Sequence, residues 1–288
     1  MNRVAFHRLL RWNLRSSLRW WWPVAAGALS SFIGWRSALQ AAEYASSAQA
    51  QVTANVWDAF FISFAGPGVW DSSLVRMLAW FVPQLLFFYF IGDLANEELL
   101  QRGYAVVPLI GSRLRWWWGK VATLLLLTLG YTALSLLTVL AGSMARLPWS
   151  WQLSTLLSSG TLWPLPEGMD VGVLFGWTFS LSCSTLFAMA SLQIVLSILW
   201  HRSFHSFAAI SAIALSSWLL GIDKPRLVRW LPGSQSMLLR HTFFDPNVPG
   251  FSLEWSLFYD AVLVLLAIGL GTWYVRRMDI FGESQDIR

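Results

Sequence analysis

Six stretches of this 288-residue chain are mainly apolar over close to the ~20 residues that an α-helix needs to cross a bilayer core. They cover 20–42, 73–92, 120–142, 171–200, 206–222 and 253–275. Arg36 interrupts the first late in its run, and Pro83 sits among the Phe and Leu of the second. The fourth is long enough to span with tilt, and the fifth is short. Only 12% of the residues are charged, against about 25% in an ordinary soluble domain. Buried helices of a soluble core would need charged outer faces, which these stretches lack. Disordered, nucleic-acid-binding and disulfide-stapled classes are excluded on the same ground, and the lone cysteine, Cys183, has no partner in the chain. The expected fold is all-α: a polytopic membrane protein with six transmembrane helices, an amino-terminal amphipathic helix over 1–19 and a tail over 276–288.

Basic residues set the expected orientation. With both termini on one side, that side holds 13 of the 20 Lys and Arg residues. Positive residues concentrate on the cytoplasmic side, so both termini are expected in the cytoplasm of a bacterial plasma membrane. The outward connectors, roughly 43–72, 143–170 and 223–252, all contain Pro, Gly and Trp. That composition suits short interfacial or re-entrant pieces. The stretch 37–60 has high helix propensity and extends the first helix beyond the membrane. No secretory cleavage pattern is evident near the start. Along 3–19, Arg8, Arg11, Arg15 and Arg19 fall on one helical face, with Phe6, Leu10 and Leu14 opposite. This predicts an interfacial helix whose arginines meet anionic lipid while its leucines enter the bilayer boundary.

The only lysines are Lys120 and Lys224, and neither follows the glycine pattern of a phosphate-binding loop. No cofactor is expected in this chain, and ATP-driven work would require a separate ATPase. The connector between the second and third spans reads DLANEELLQRGYAVVPLIGSRLRWWWGK over 93–120. Acidic residues open it, a short apolar piece broken by Pro108 and Gly111 follows, and basic residues close it. Ser112 is placed to cap a helix starting at Arg113. The stretch PLIGSRLRWWWGK after ANEELL resembles the first cytoplasmic loop of ABC-2-type exporter permeases. The ending LLAIGLGTWYVRRMDIFG over 265–282 is similar to that family's last span. The resemblance implies a permease subunit, paired with an identical or related one, that clasps two cytoplasmic ABC ATPase subunits carrying ATP and Mg. It implies a coupling helix over 98–110, with Glu97, Glu98, Arg102, Tyr104 and Pro108 at the ATPase and Arg113 and Lys120 anchoring its far end. An amphiphilic cargo such as a peptide, antibiotic or lipid would follow.

Two rival readings compete. Glu97, Glu98, Arg102 and Gly103 match the EExxxRG signature of CAAX-type intramembrane proteases, in which a Glu activates water with help from histidines on later helices. No histidine here has Phe four residues before it, and the third and fourth spans contain none. His241 and Asp245 form an HxxxD spacing, but in an outward connector. The other rival is a non-transporting scaffold or sensor subunit. His201 and His205 read as a basic hinge rather than a metal pair. Asp260, beside Tyr259 and close to Glu254, reads as an interface residue near the outer end of the last span. The small residues of the third and fourth spans suit close helix packing.

Overall fold

The computed structural model describes residues 6–47, 52–95, 110–158, 165–166 and 169–278. Its helices are α1 (Phe6–Ser17), α2 (Trp21–Ser47), α3 (Val56–Phe64), α4 (Leu74–Ile91), α5 (Arg113–Ser143), α6 (Thr155–Ser158), α7 (Val171–Trp200), α8 (Ser203–Asp223) and α9 (Leu253–Arg277). Three 3-10 turns, Pro225–Trp230, Pro232–Ser236 and Leu238–Arg240, separate α8 from α9. The protein is an all-α, polytopic membrane protein. Five helices, α4, α5, α7, α8 and α9, are long and apolar enough to cross a membrane. At 27 residues α2 has the length, but Ser30, Ser31, Arg36, Ser37 and Gln40 dilute its apolar character.

That polarity is tied to packing. A methyl group built on Gly34 would lie 2.1 Å from the Val139 carbonyl oxygen, and one on Gly142 would lie 2.0 Å from that of Ser31. Backbone therefore meets backbone where α2 crosses α5, and only hydrogen fits on either side. Gly27 faces Thr138 lower on the same seam, so the two helices run in parallel. The expected first and third spans thus lie side by side. At the other end of α2, Trp22 stacks on Phe90 of α4 with ring centroids 4.1 Å apart.

Two apolar clusters fill the bundle. One gathers Phe87, Phe88, Ile91, Trp116, Ile194 and Ile198 near the α1 end. The other gathers Phe60, Phe61, Leu136, Leu174, Leu181 and Phe244 near the opposite, capped end. Pro83 interrupts α4, leaving the Ala79 carbonyl without its usual donor four residues on. Between α7 and α8 the chain reverses through His201, a non-glycine residue at φ +54°. This left-handed residue breaks the helical spacing to His205, and among the described residues no cluster suits a metal ion.

Two expectations need correction. The helical stretch over 37–60 is not continuous: residues 52–55 are not helical, and α3 begins anew behind Asn55. The new start has a local cause, because Asn55 and Asp58 form a capping box. The helix that carries the third span starts at Arg113 as expected, but Ser112 at its cap position makes no side-chain cap hydrogen bond.

The seam predicts a sharp asymmetry between glycines. Gly34→Val is expected to destabilise the detergent-solubilised protein by at least about 2 kcal/mol through forced separation of α2 from α5. Gly130→Ala, which meets nothing within 4 Å, is expected to leave stability unchanged or slightly raised. Thermal melting of the two variants checks this, and equal melting would refute the close crossing.

Candidate functional site

Three neighbourhoods hold the polar chemistry of this apolar molecule. The first is a cavity of about 60 Å³ in the middle of the bundle, lined from α2, α3, α4, α5, α7 and the second 3-10 turn. Its walls mix Ile33, Trp80 and Leu186 with Ser30, Gln84 and Ser135, and no charged side chain lines it. Gln84 Oε1, Thr132 Oγ1 and Ser135 Oγ are buried there without a hydrogen bond of good geometry. Tyr131 donates its hydroxyl to the Pro83 carbonyl at 2.6 Å, which fixes the ring at the interrupted turn of α4. Trp80 Nε1 donates to Ser236 Oγ at 3.2 Å, joining the wall to the cap above it. Unmet polar groups in an apolar bundle are costly, so the cavity is suited to water or to the neutral polar part of a ligand.

The second neighbourhood is the cap, built from the connectors expected outside. Asp58 joins α3 to the 143–170 connector: its Oδ2 accepts the Asn55 N–H at 2.6 Å and its Oδ1 accepts the Ser154 hydroxyl at 2.5 Å. Burial outweighs these bonds and pushes the carboxyl up to about 6. Arg240 is fully buried and reaches three separate segments. Its Nε donates to the Pro67 carbonyl at 3.2 Å, and one terminal nitrogen donates to the Ser217 carbonyl at 2.7 Å and Ser234 Oγ at 2.6 Å. Desolvation lowers its pKa to about 9, opposed by Asp71, so it stays charged at neutral pH. Gly66, at φ +66°, brings its backbone against Met237, and Leu239 N–H donates to the Ala65 carbonyl. The 65–72 and 232–251 segments are thereby locked together over the cavity.

His241 lies in the same cap. Its Nδ1 is 3.0 Å from the Met237 carbonyl and its Nε2 is 2.7 Å from Ser256 Oγ. Burial, aided by Arg240, holds its pKa down at about 4. Both ring nitrogens are therefore occupied and the ring is neutral. Asp245 turns away from it: the Asp245 backbone N–H donates to the His241 carbonyl and its carboxylate accepts the Asn247 N–H. The HxxxD spacing is a turn, not a catalytic pair.

The third neighbourhood is the opposite end, where α1 packs on α5. Gly119 accommodates Leu9, whose Cδ2 would be 2.8 Å from an added methyl. Asn13 Oδ1 accepts from Lys120 Nζ at 3.2 Å, and Nζ sits 5.9 Å from the ring centres of Trp12 and Trp116. Lys120 is only 1% exposed. Lys120, which the resemblance made an anchor for the far end of the coupling helix, is buried under α1, where tryptophan faces and an amide replace its water. Arg113 donates to the Met278 carbonyl at 2.5 Å, which ties the start of α5 to the end of α9. Trp117 fits against Gly271 and donates to Thr272 Oγ1 at 3.1 Å. Arg8, Arg11, Arg15 and Arg19 are exposed, as the helical wheel places them. The face docked on α5 is Leu9 and Asn13, with Leu14 partly buried against the same core and Phe6 exposed. Glu97, Glu98, Arg102, Tyr104 and Pro108 lie outside the described residues.

The sequence reading missed the cavity, the Arg240 clamp and the burial of Asp260. Asp260 was expected at the interface because of its neighbours. Tyr259 does face the rim, donating to the Trp230 carbonyl at 2.8 Å, while the next residue points inward. Gln84, a lone amide among Phe and Leu, was the one visible signal for the cavity. Comparison of the chain with known protein families, curated proteins and solved structures finds no match in any of the three.

Two predictions follow from the cap. Arg240→Met keeps the length but removes the buried donor shared by the Pro67 carbonyl, the Ser217 carbonyl and Ser234 Oγ, so a loss of about 3 kcal/mol is expected. Limited proteolysis of the 65–72 and 232–251 segments should accelerate, and unchanged cleavage would refute the clamp. His241 and Asp58 act on pH dependence with opposite signs. His241 is neutral when folded, so its contribution falls as pH drops from about 6.5 to about 4. Asp58 holds its proton when folded, so its contribution falls as pH rises from about 4 to about 6. Melting curves are expected to show a steeper rise of stability with pH in Asp58→Asn than in Asp58→Asn with His241→Gln.

Proposed function

We propose that this chain is the membrane-spanning permease subunit of an ATP-driven ABC exporter. In this reading α2 is a sixth crossing, and the end that carries α1, the start of α5 and the end of α9 faces the cytoplasm. The observation that carries a transport reading is the cavity: an uncharged chamber with unmet hydrogen-bonding groups at the centre of an apolar bundle. Such a chamber suits the polar part of an amphiphile such as a peptide, antibiotic or lipid. Assignment to an ATP-driven system rests on the resemblance of 93–120 to the first cytoplasmic loop of ABC-2-type permeases and on the lack of any phosphate-binding loop in this chain.

The partners in this reading are two cytoplasmic ABC ATPase subunits, which hold ATP and Mg, and a second permease subunit, identical or related. Residues 98–110 would seat in the ATPase, with Glu97, Glu98, Arg102, Tyr104 and Pro108 making the contact. Arg113 would hold the start of α5 to the end of α9, so that force applied at the loop is passed to both helices. ATP binding would bias the bundle between inward-open and outward-open arrangements, a two-state mechanism driven by the partner. Arg8, Arg11, Arg15 and Arg19 would hold α1 to anionic headgroups.

The test is co-purification from native membranes followed by an ATPase assay. Glu98→Lys and Arg102→Glu are each expected to weaken recovery of the ATPase by roughly tenfold, as loss of a charged interface contact does. Absence of any ATPase from the wild-type complex, or normal coupling in both variants, would overturn the proposal. Peptide hydrolysis that survives loss of the ATPase and is abolished by Glu97→Gln would support the protease instead.

A further inference from the structure

Asp260 lies about 10 Å along α9 from its first residue and is 1% exposed. Its Oδ2 accepts hydrogen bonds from Ser184 Oγ at 2.7 Å and Thr185 Oγ1 at 2.9 Å, adjacent residues of α7. Its Oδ1 is buried and has no hydrogen-bond partner among the described residues. Among those residues no cation forms an ion pair with it; the ion pair found there joins Arg76 to Asp71. An ionised carboxylate with a bare oxygen in such a place costs several kcal/mol. Uncompensated acids inside membrane bundles are rare for that reason and mark proton or ion pathways.

The hydroxyls around it fit the neutral acid. Ser184 Oγ is also 3.2 Å from the Leu181 carbonyl. It can therefore turn its own proton to that carbonyl and accept one from Asp260 Oδ2, while Thr185 continues to donate to the same oxygen. The bare Oδ1 is then the carbonyl oxygen of an acid rather than half of an anion, and leaving it unpaired costs far less. A metal ion fits poorly, since all three oxygens stand at hydrogen-bonding distances.

We propose that Asp260 is a proton-binding site of the bundle, holding its proton while α7 and α9 are closed and releasing it when they part. On release the Oδ2–H bond breaks, its electron pair stays on oxygen, and the proton passes to water admitted between the helices. The anion left behind favours the wetted arrangement, so proton occupancy and helix separation bias each other. The charged and titratable groups on the packed elements are few. On α7 there is Cys183, beside Ser184. On α5, Tyr131 bonds to Pro83, Lys120 is held by Asn13 at the far end, and Arg113, Arg115 lie at its start. The second 3-10 turn has none. On α9 itself, Tyr259 and Glu254 are at the cap rim and Tyr274, Arg276 and Arg277 at the other end. This inference does not depend on the exporter reading.

Infrared spectroscopy of the purified protein in lipid nanodiscs tests it at neutral pH. The protonated-carboxyl C=O stretching band is expected in the wild type and in Asp58→Asn, and is expected to be lost in Asp260→Asn. Asp260→Asn has the shape of the neutral acid, so it should melt at or above the wild-type temperature. The difference between the two should widen as the pH is raised from about 4 towards neutral. Identical infrared spectra of wild type and Asp260→Asn, or an Asp260→Asn protein that melts well below wild type at neutral pH, would each overturn the proposal.

Discussion

Backbone contact between α2 and α5 is the constraint on which the rest of the bundle depends. At Gly34 and Gly142 each helix presses on the other's carbonyl groups, and no side chain fits between. This contact holds the less apolar α2 inside the assembly and places Ser30 and Ile33 beside Thr132, Ser135 and Val139 at the central cavity. Were the helices held apart by ordinary side chains, the cavity would lose one wall. Dispersion and close approach do this work, because lipid offers no hydrophobic drive between helices.

The two ends of the bundle are closed by different chemistry. The capped end relies on charge-assisted and capping hydrogen bonds: Arg240 to three segments, and Asp58 between two connectors. These groups are buried, so they are strong when satisfied and costly when broken. The other end relies on aromatic surface. Trp116 and Trp117 fill the space under α1 and beside α9, and Lys120 is held among indole faces and an amide.

The cavity and Asp260 belong to one pattern. Both place polar groups without full partners inside an apolar bundle, and both sit against α7. Native interiors tolerate such groups where they serve function. In a transporter reading the cavity holds the neutral polar part of a cargo, and the acid on α9 meets the same stretch of α7, its partners Ser184 and Thr185 lying between the cavity-lining Ser182 and Leu186. These internal features, with the 93–120 resemblance, are the grounds for the functional reading.

Much of the architecture was legible from the chain alone. Length and continuity of the apolar runs set the number and approximate limits of the long helices, and α7 spans the residues expected of the fourth crossing, because lipid demands about 20 apolar residues whatever the neighbours are. Charge spacing placed the arginines of α1 on an exposed face. Tertiary structure alone decided which face of α1 docks, that Lys120 is buried, and that Asp260 turns inward while Tyr259 faces the rim. It also decided that Gly34 and Gly142 meet while Gly130 and Gly176 face open space. The physical reason is common to all four. Hydropathy reports how a residue partitions between water and lipid, whereas a residue's neighbours depend on helix rotation and crossing, which depend on contacts between segments far apart in the chain.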